Sequence, residues 1–375
     1  MRALQRRTMG VCCAAAMALA GSSAAAHPDV LNIVSWGGVY TASQMEAYVN
    51  PYRKRTDQPI QVDRYSGGLE NIRNQVTANN VKWDVVDMGL SNAVRGCEEG
   101  LLEKIDHSKL PSGRDNSSPQ EDFLEGMLPD CAVGQNVFSN VVAYDTRDFQ
   151  DNPPDSAADF FDTRTYSGNR GMRNNPRGNL ELALLASGVE PDRVYEVLST
   201  EKGLDRAFDK LRSIAPSITW WDGAEDPQLL LERDQVSMTT GFNARIQAAI
   251  DQRDQPFEII WDGQTYNYEL WTIVKGSPHK EAAMDFIEYA SKPARQAAQA
   301  NAIAYGPARN SAMSLVDESM RSKLPTAEEN LQNALRIDHE WWADNQDRLN
   351  DRFSAFVQEA KEMGGSDTFG VGTPR

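Results

Sequence analysis

The sequence predicts an α/β protein built as two lobes, each around a parallel or mixed sheet, and three observations carry that reading. Short apolar runs alternate with amphipathic helical patterns, the signature of strands covered by helices. The 375 residues exceed the usual reach of one hydrophobic core, so two are expected. After the first two dozen residues no apolar run approaches the ~20 residues needed to span a bilayer.

The chain opens with a basic segment (1-MRALQRRTMG-10), an apolar one (11-VCCAAAMALA-20) and small residues ending at Ala26, the three parts of a cleaved export signal. A periplasmic product beginning at His27 is therefore expected. Cleavage removes Arg2, Arg6 and Arg7 and deepens the formal charge from −16 to −19. Such an acidic chain is a poor partner for nucleic acid, whose phosphates are neutralised by lysine and arginine. Cys97 and Cys131 are then the two remaining cysteines, and an oxidising compartment predicts one disulfide, the alternative being two buried thiols.

Strands are expected at 31–36, 60–65, 83–88, 137–144, 217–221, 235–240 and 257–261. Helices are expected at 42–55, 203–213, 242–252, 280–299, 327–343 and 346–361. In 242-FNARIQAAIDQR-253, Phe242, Ile246, Ala249 and Ile250 recur at helical spacing and would cover a sheet. Turn formers crowd 111–120 and 150–156, and 364–375 reads as a flexible tail.

The stretch 31-LNIVSWGGVYTAS-43 ends its strand with two aromatics around a Gly-Gly. In open α/β sheets ligands bind beyond the carboxyl ends of strands, where the chain turns into the next helix. Glycines there let backbone approach a ligand, and Trp36 and Tyr40 offer electron-rich faces to a cation. The alternative is that Trp36 ends a buried strand and Tyr40 starts a helix packed on it; the stretch by itself leaves both open.

The blocks SWGGVY (35–40), WDVVDMG (83–89), NVFSNVVAYDT (136–146), TTGFNARI (239–246), YNYELWTIVKGSPHKEAAMDFIEYAS (266–291) and AYGPARNSA (304–312) follow one another in a fixed order. In that order the chain resembles the polyamine (spermidine/putrescine) type of bacterial periplasmic solute-binding protein, the receptors of ABC importers. The resemblance covers nearly the whole chain after residue 26 and implies the type II two-lobed fold. Lobe one would comprise 27–142 and 268–375, with the C-terminal helices and tail, and lobe two 143–267. Hinges would fall near 138–144 and 264–270. It also implies a monomer, without cofactor or metal, that closes over a small amine and delivers it to an inner-membrane permease.

By the same resemblance, Trp36, Tyr40 and Tyr305 match aromatics of the amine site and Glu269 matches the acid that pairs with an ammonium. Two expected acids are missing: 173-RNNPRGNLEL-182 places Arg177 and Gly178 after the proline, and TTGFNARI carries Arg245. Arginine there would repel a second ammonium. Arg245 also stands just inside a helix start, where a cation opposes the helix dipole, so it reads as a seat for a carboxylate; the alternative is an arginine paired with Glu269 or another acid.

The ligand expected is thus a zwitterion, a γ-amino acid or a betaine- or sulfonium-like osmolyte. Its anion would meet Arg245 and Arg173, and its cation Trp36, Tyr40 and Glu269. Phe242, Asn243 and Tyr305 join the candidate contacts, Ser91 as a hydrogen-bond donor or else part of a helix cap. Trp220, Trp221, Trp261 and Trp271 are candidate cage walls, each competing with a place in the core, and Trp221 is favoured because 220-WWDGAEDPQ-228 leaves a strand for a loop. The runner-up readings are a polyamine ligand and a secreted hydrolase. The histidines lack a zinc spacing, and GLSNA (89–93) lacks the final glycine of a nucleophile elbow. Asp84 and Asp87 read as fold residues rather than a carboxylate pair, and 341-WW-342 as packing the C-terminal helices onto lobe one.

Overall fold

The computed structural model describes residues 30–369; the expected export signal lies outside the described residues. Strands β1 (Leu31–Ser35), β2 (Ile60–Arg64), β3 (Val85–Gly89), β4 (Ala132–Asp145), β5 (Arg170–Arg173), β6 (Ile218–Trp221), β7 (Met238–Phe242), β8 (Phe257–Ile273), β9 (Gly306–Pro307), β10 (Leu335–Arg336) and β11 (Ser366–Phe369) form one continuous mixed sheet. Its main path runs β11-β6-β5-β7-β4-β8-β3-β1-β2, with β9 on β4 and β10 on β8.

The outer strands pair in parallel, β2-β1-β3 on one side and β7-β5-β6-β11 on the other. Between them β4 and β8 run antiparallel and pass from one side to the other. Each side has its own apolar core. Residues from Leu31 to Val137 and from Tyr268 to Ala308 build the first, residues from Val142 to Ile260 and from Leu335 to Ala360 the second. The β4–β8 ladder is interrupted where Asn140 faces Thr265 and Val142 faces Ile260. There Gly263 adopts φ 71° and lies so near Ala157 that a Cβ would stand 2.7 Å from the alanine's own.

Several elements differ from the sequence reading. The run at 257–261 is only the start of a 17-residue strand. The helix expected over 280–299 is two, Lys280–Ala290 and Pro293–Ala302, because Pro293 has no amide hydrogen with which to continue the first and suits the opening turn of the second. No single helix spans 327–343: Leu335 and Arg336 extend to pair with Thr265 and Tyr266 of β8, and the helix begins at His339. Asp338 accepts the Trp341 amide as its cap. The chain thus crosses between the two cores a third time.

The apolar stripe of the last helix, His339–Glu362, packs in the second core, while the helix also touches Leu90–Glu98 of the first. Its stripe of Trp342, Leu349, Phe353 and Phe356 meets Phe208 and Trp220, with Phe353 and Phe356 edge-on to the Trp220 indole. The Trp342 N–H donates to Glu181 at 2.6 Å, satisfying both groups away from water. The expected tail is ordered as far as β11, which lies parallel to β6; residues 370–375 lie outside the described residues.

Cys97, near the end of the helix Leu90–Glu98, and Cys131, just before β4, form the disulfide, with Cα atoms 5.7 Å apart. It closes a loop across 34 residues and restricts the unfolded chain. Cys97→Ala with Cys131→Ala is expected to lower the unfolding free energy of the first core by about 2–4 kcal/mol, read from the midpoint of a urea titration.

Candidate ligand-binding site

The carboxyl ends of β1 and β3 face those of β5, β6 and β7 across the cleft between the two cores. On the first wall the chain leaves β1 through Trp36, then turns on Gly37 and Gly38 at φ 84° and 58°. The Trp36 ring lies 4.8 Å from that of Tyr65, and its indole N–H donates to Glu269 Oε2 at 3.3 Å. Tyr40 is buried, its hydroxyl donating to Asp87 Oδ2 at 2.6 Å and accepting from Asn136 Nδ2 at 3.0 Å. Tyr305 stands against it, ring centroids 5.5 Å apart.

Asp87 and Glu269 lie on adjacent strands, where Gly89, two residues past Asp87, faces Glu269. Burial pushes the Asp87 carboxyl up to about 7, against the hydrogen bonds from Tyr40 and Gln44 that favour its charged form. Burial likewise lifts Glu269 well above the usual carboxylate range, followed by the charge of Asp87 and a hydrogen bond between the two carboxyls. The pair therefore holds a proton near neutrality, and Asp87 Oδ1, for which no donor is present among the described residues, is where a protonated Glu269 would point. Tyr65 donates to the Asp87 carbonyl and Tyr48, in the first core, to Gln299, and burial lifts both phenols well above their usual range.

The opposite wall is cationic. The Arg173 guanidinium, at the end of β5, lies 5.3 Å from the Phe242 ring and 5.9 Å from that of Trp221. Burial, then the charge of Arg177, lowers it to about 10, the charge of Asp222 opposing them, so it stays charged. Arg245 is only 4% exposed and sits in the first turn of the helix Asn243–Arg253. It is ion-paired with Glu225 and donates weakly to the Gly37 carbonyl at 3.4 Å. Burial lowers its pKa most, Arg64 adding to that effect, while Tyr305 and Tyr40 oppose it. Phe138 links the walls, 6.0 Å from Phe242 and 6.4 Å from Tyr305.

The fold thus gathers Trp36, Tyr40, Glu269 and Tyr305 on one wall and Arg173, Phe242 and Arg245 on the other. Ser91 faces the cleft as well and receives a 3.2 Å hydrogen bond from Arg177, whose guanidinium stacks over Trp342. Two candidates take other parts. Asn243 is fully buried, accepting from the Ser139 amide and donating to the Ala304 carbonyl, so both ends of its side chain are spent on the fold. Trp221 is also fully buried and backs Arg173 from beneath, so it cannot wall an onium group. Trp220 and Trp271 belong to the second and first cores.

Asp84 and Asp87, read as strand-end or fold residues, have different surroundings. Asp84 accepts from the Asn32 amide, Ser277 and His279, whereas Asp87 is buried beside Glu269 and accepts from Tyr40 and Gln44; its signal is an acid inside a buried apolar strand. Nothing in the sequence marked Glu225, whose role depends on which loop faces Arg245.

A raised carboxylate pKa means that the folded chain keeps a proton which the unfolded chain has released above pH ~4. Stability contributed by the pair therefore falls as pH climbs from about 4 through 7. Asp87→Asn should flatten the decline in melting temperature between pH 5 and 8, followed by scanning fluorimetry; an unchanged decline would show that no proton is shared.

Residues 47–326 match the family model described as bacterial extracellular solute-binding protein. The chain is 36% identical over 337 residues to the gamma-aminobutyric acid-binding protein of Pseudomonas aeruginosa, covering 90% of this chain and 93% of that protein. Among solved structures it is similar to the binding protein MotA of A. tumefaciens B6 in complex with glucopine, at TM-score 0.79 and 29% identity over 88% of this chain and 100% of that one. A GABA receptor superposes at TM-score 0.76 and 29% identity, over 88% and 98%. Family, order of sequence blocks and two-core architecture agree: the chain belongs to the bacterial extracellular solute-binding proteins, as the solute-binding component of an ABC transporter.

Proposed function

We propose that this receptor captures a small zwitterion of the γ-aminobutyrate kind in the cleft between its two cores. The observation that carries the reading is the opposition of buried charges, an acid pair on one wall and guanidinium groups on the other, with aromatic rings between. The ligand ammonium replaces the proton shared by Asp87 and Glu269 and lies against Trp36 and Tyr40. Its carboxylate meets Arg245, with Arg173 as a second cation. A diamine such as putrescine would place its far ammonium against the arginines. The names of the Pseudomonas protein and the GABA receptor support the same ligand class.

Closure about the interrupted β4–β8 ladder, with the third crossing following, would bring the walls together and hide the ligand from water. The family is one of solute-binding proteins, not of enzymes, and we infer binding without turnover, in the periplasm, followed by delivery to a membrane permease. Among the described residues no helix is long and apolar enough to cross a membrane.

Charge-assisted hydrogen bonds contribute about 1.5–3 kcal/mol each. Glu269→Gln and Arg245→Ala should therefore each weaken GABA binding at least about tenfold in calorimetry, with the melting curve of the free protein still cooperative. A thermal-shift screen should rank ω-amino acids above putrescine, spermidine and betaines. Larger shifts from the polyamines would overturn the zwitterion assignment.

A further inference from the structure

The carboxylate on Arg245 belongs to Glu225, in the loop between β6 and the helix Asp226–Glu232. The two partners are unequally held. Arg245 is 4% exposed and anchored in a helix, while the Glu225 side chain is 42% exposed and reaches into the cleft from a loop. Glu225 Oε2 accepts from Gln228 Nε2 at 2.6 Å, one turn further on, so the arm is steered toward the arginine. Its tip lies against the turn of the opposite wall. A Cβ on Gly38 would stand 2.8 Å from Arg245 Nη1 and nearer still to Glu225 Oε1. The glycine therefore leaves room for this ion pair, in the space between the walls where the proposed ligand carboxylate would lie.

We propose that Glu225 is an internal stand-in for the ligand carboxylate: it holds the anion seat of Arg245 and swings into solvent when a zwitterion binds. The inference rests on the zwitterion reading above. A buried guanidinium without a counter-charge is costly, and Arg64 nearby adds repulsion, so an acid in the seat offsets that cost. Exchange of one carboxylate for another keeps Arg245 paired throughout. The departing acid, already half in water, loses little on leaving. Affinity for the zwitterion is then set by the difference between two carboxylates, and a ligand without an anion gains nothing from the exchange.

Glu225→Gln tests this directly, since the amide keeps the shape of the arm and loses the charge. Calorimetry should show GABA bound at least about threefold more tightly, while putrescine binding stays level or weakens. Glu225→Ala should behave in the same way and guards against a glutamine that still fills the seat. As a readout independent of the physiological ligand, sodium acetate, compared with sodium chloride at equal ionic strength, should raise the melting temperature of Glu225→Gln more than that of the wild type. The acetate effect should vanish in Glu225→Gln with Arg245→Ala. Unchanged or weakened GABA binding in both Glu225 variants, with no gain in acetate response, would make Glu225 a permanent partner and end the proposal. If Arg245→Ala leaves GABA binding intact, the carboxylate seat itself is misplaced, a failure of the underlying reading that the Glu225 variants cannot imitate.

Discussion

Two carboxyl groups that burial will not allow to ionise together set the terms for the rest of this molecule. Asp87 and Glu269 come from different strands and meet where water is excluded, so the cluster around them must supply a proton or a cation. Tyr40, Gln44 and Trp36 donate to the pair without neutralising it. A wall in that condition is poised to accept an ammonium, and the facing wall, with Arg173 and Arg245 in a fold that is otherwise strongly acidic, is its electrostatic complement.

Long strands make such a wall possible. β4 and β8 each run through both halves of the sheet, so the end of one core and the beginning of the other are held in register by the same backbone ladder. Aromatic rings from both sides, Tyr40 and Tyr305 with Phe138 and Phe242, continue that contact above the sheet. The ladder shifts register twice, between Gly134 and Asn136 and again between Asn140 and Val142, and the second shift, opposite 261–264, falls between the two cores. The last helix follows the same logic: its apolar stripe finds its match in Trp220 and Phe208, and the crossing at β10 returns the chain to the second side to reach them.

Much of this was legible beforehand. Periodicity placed most strands, the paired cysteines announced a bridge, and the order of blocks from SWGGVY to AYGPARNSA identified the class of receptor. Asp87, Asn243 and Trp221 show where that legibility ended. Each is a residue type that can serve a site or a fold, and neighbours distant in sequence decide which. Asn243 was drawn off by Ser139 and Ala304, Trp221 was covered by Arg173, and Asp87 was turned toward Glu269 by strand pairing.

By itself the sequence determined the alternation of strand and helix, the acidic balance, and the exchange of expected acids for arginines, because these depend on local pattern and residue chemistry. Tertiary structure alone decided which charges face one another. Glu225 and Arg245 are 20 residues apart and Asp87 and Glu269 are 182 apart. The energy of each pair depends on distance and desolvation, which exist only once the two cores have closed on a common cleft.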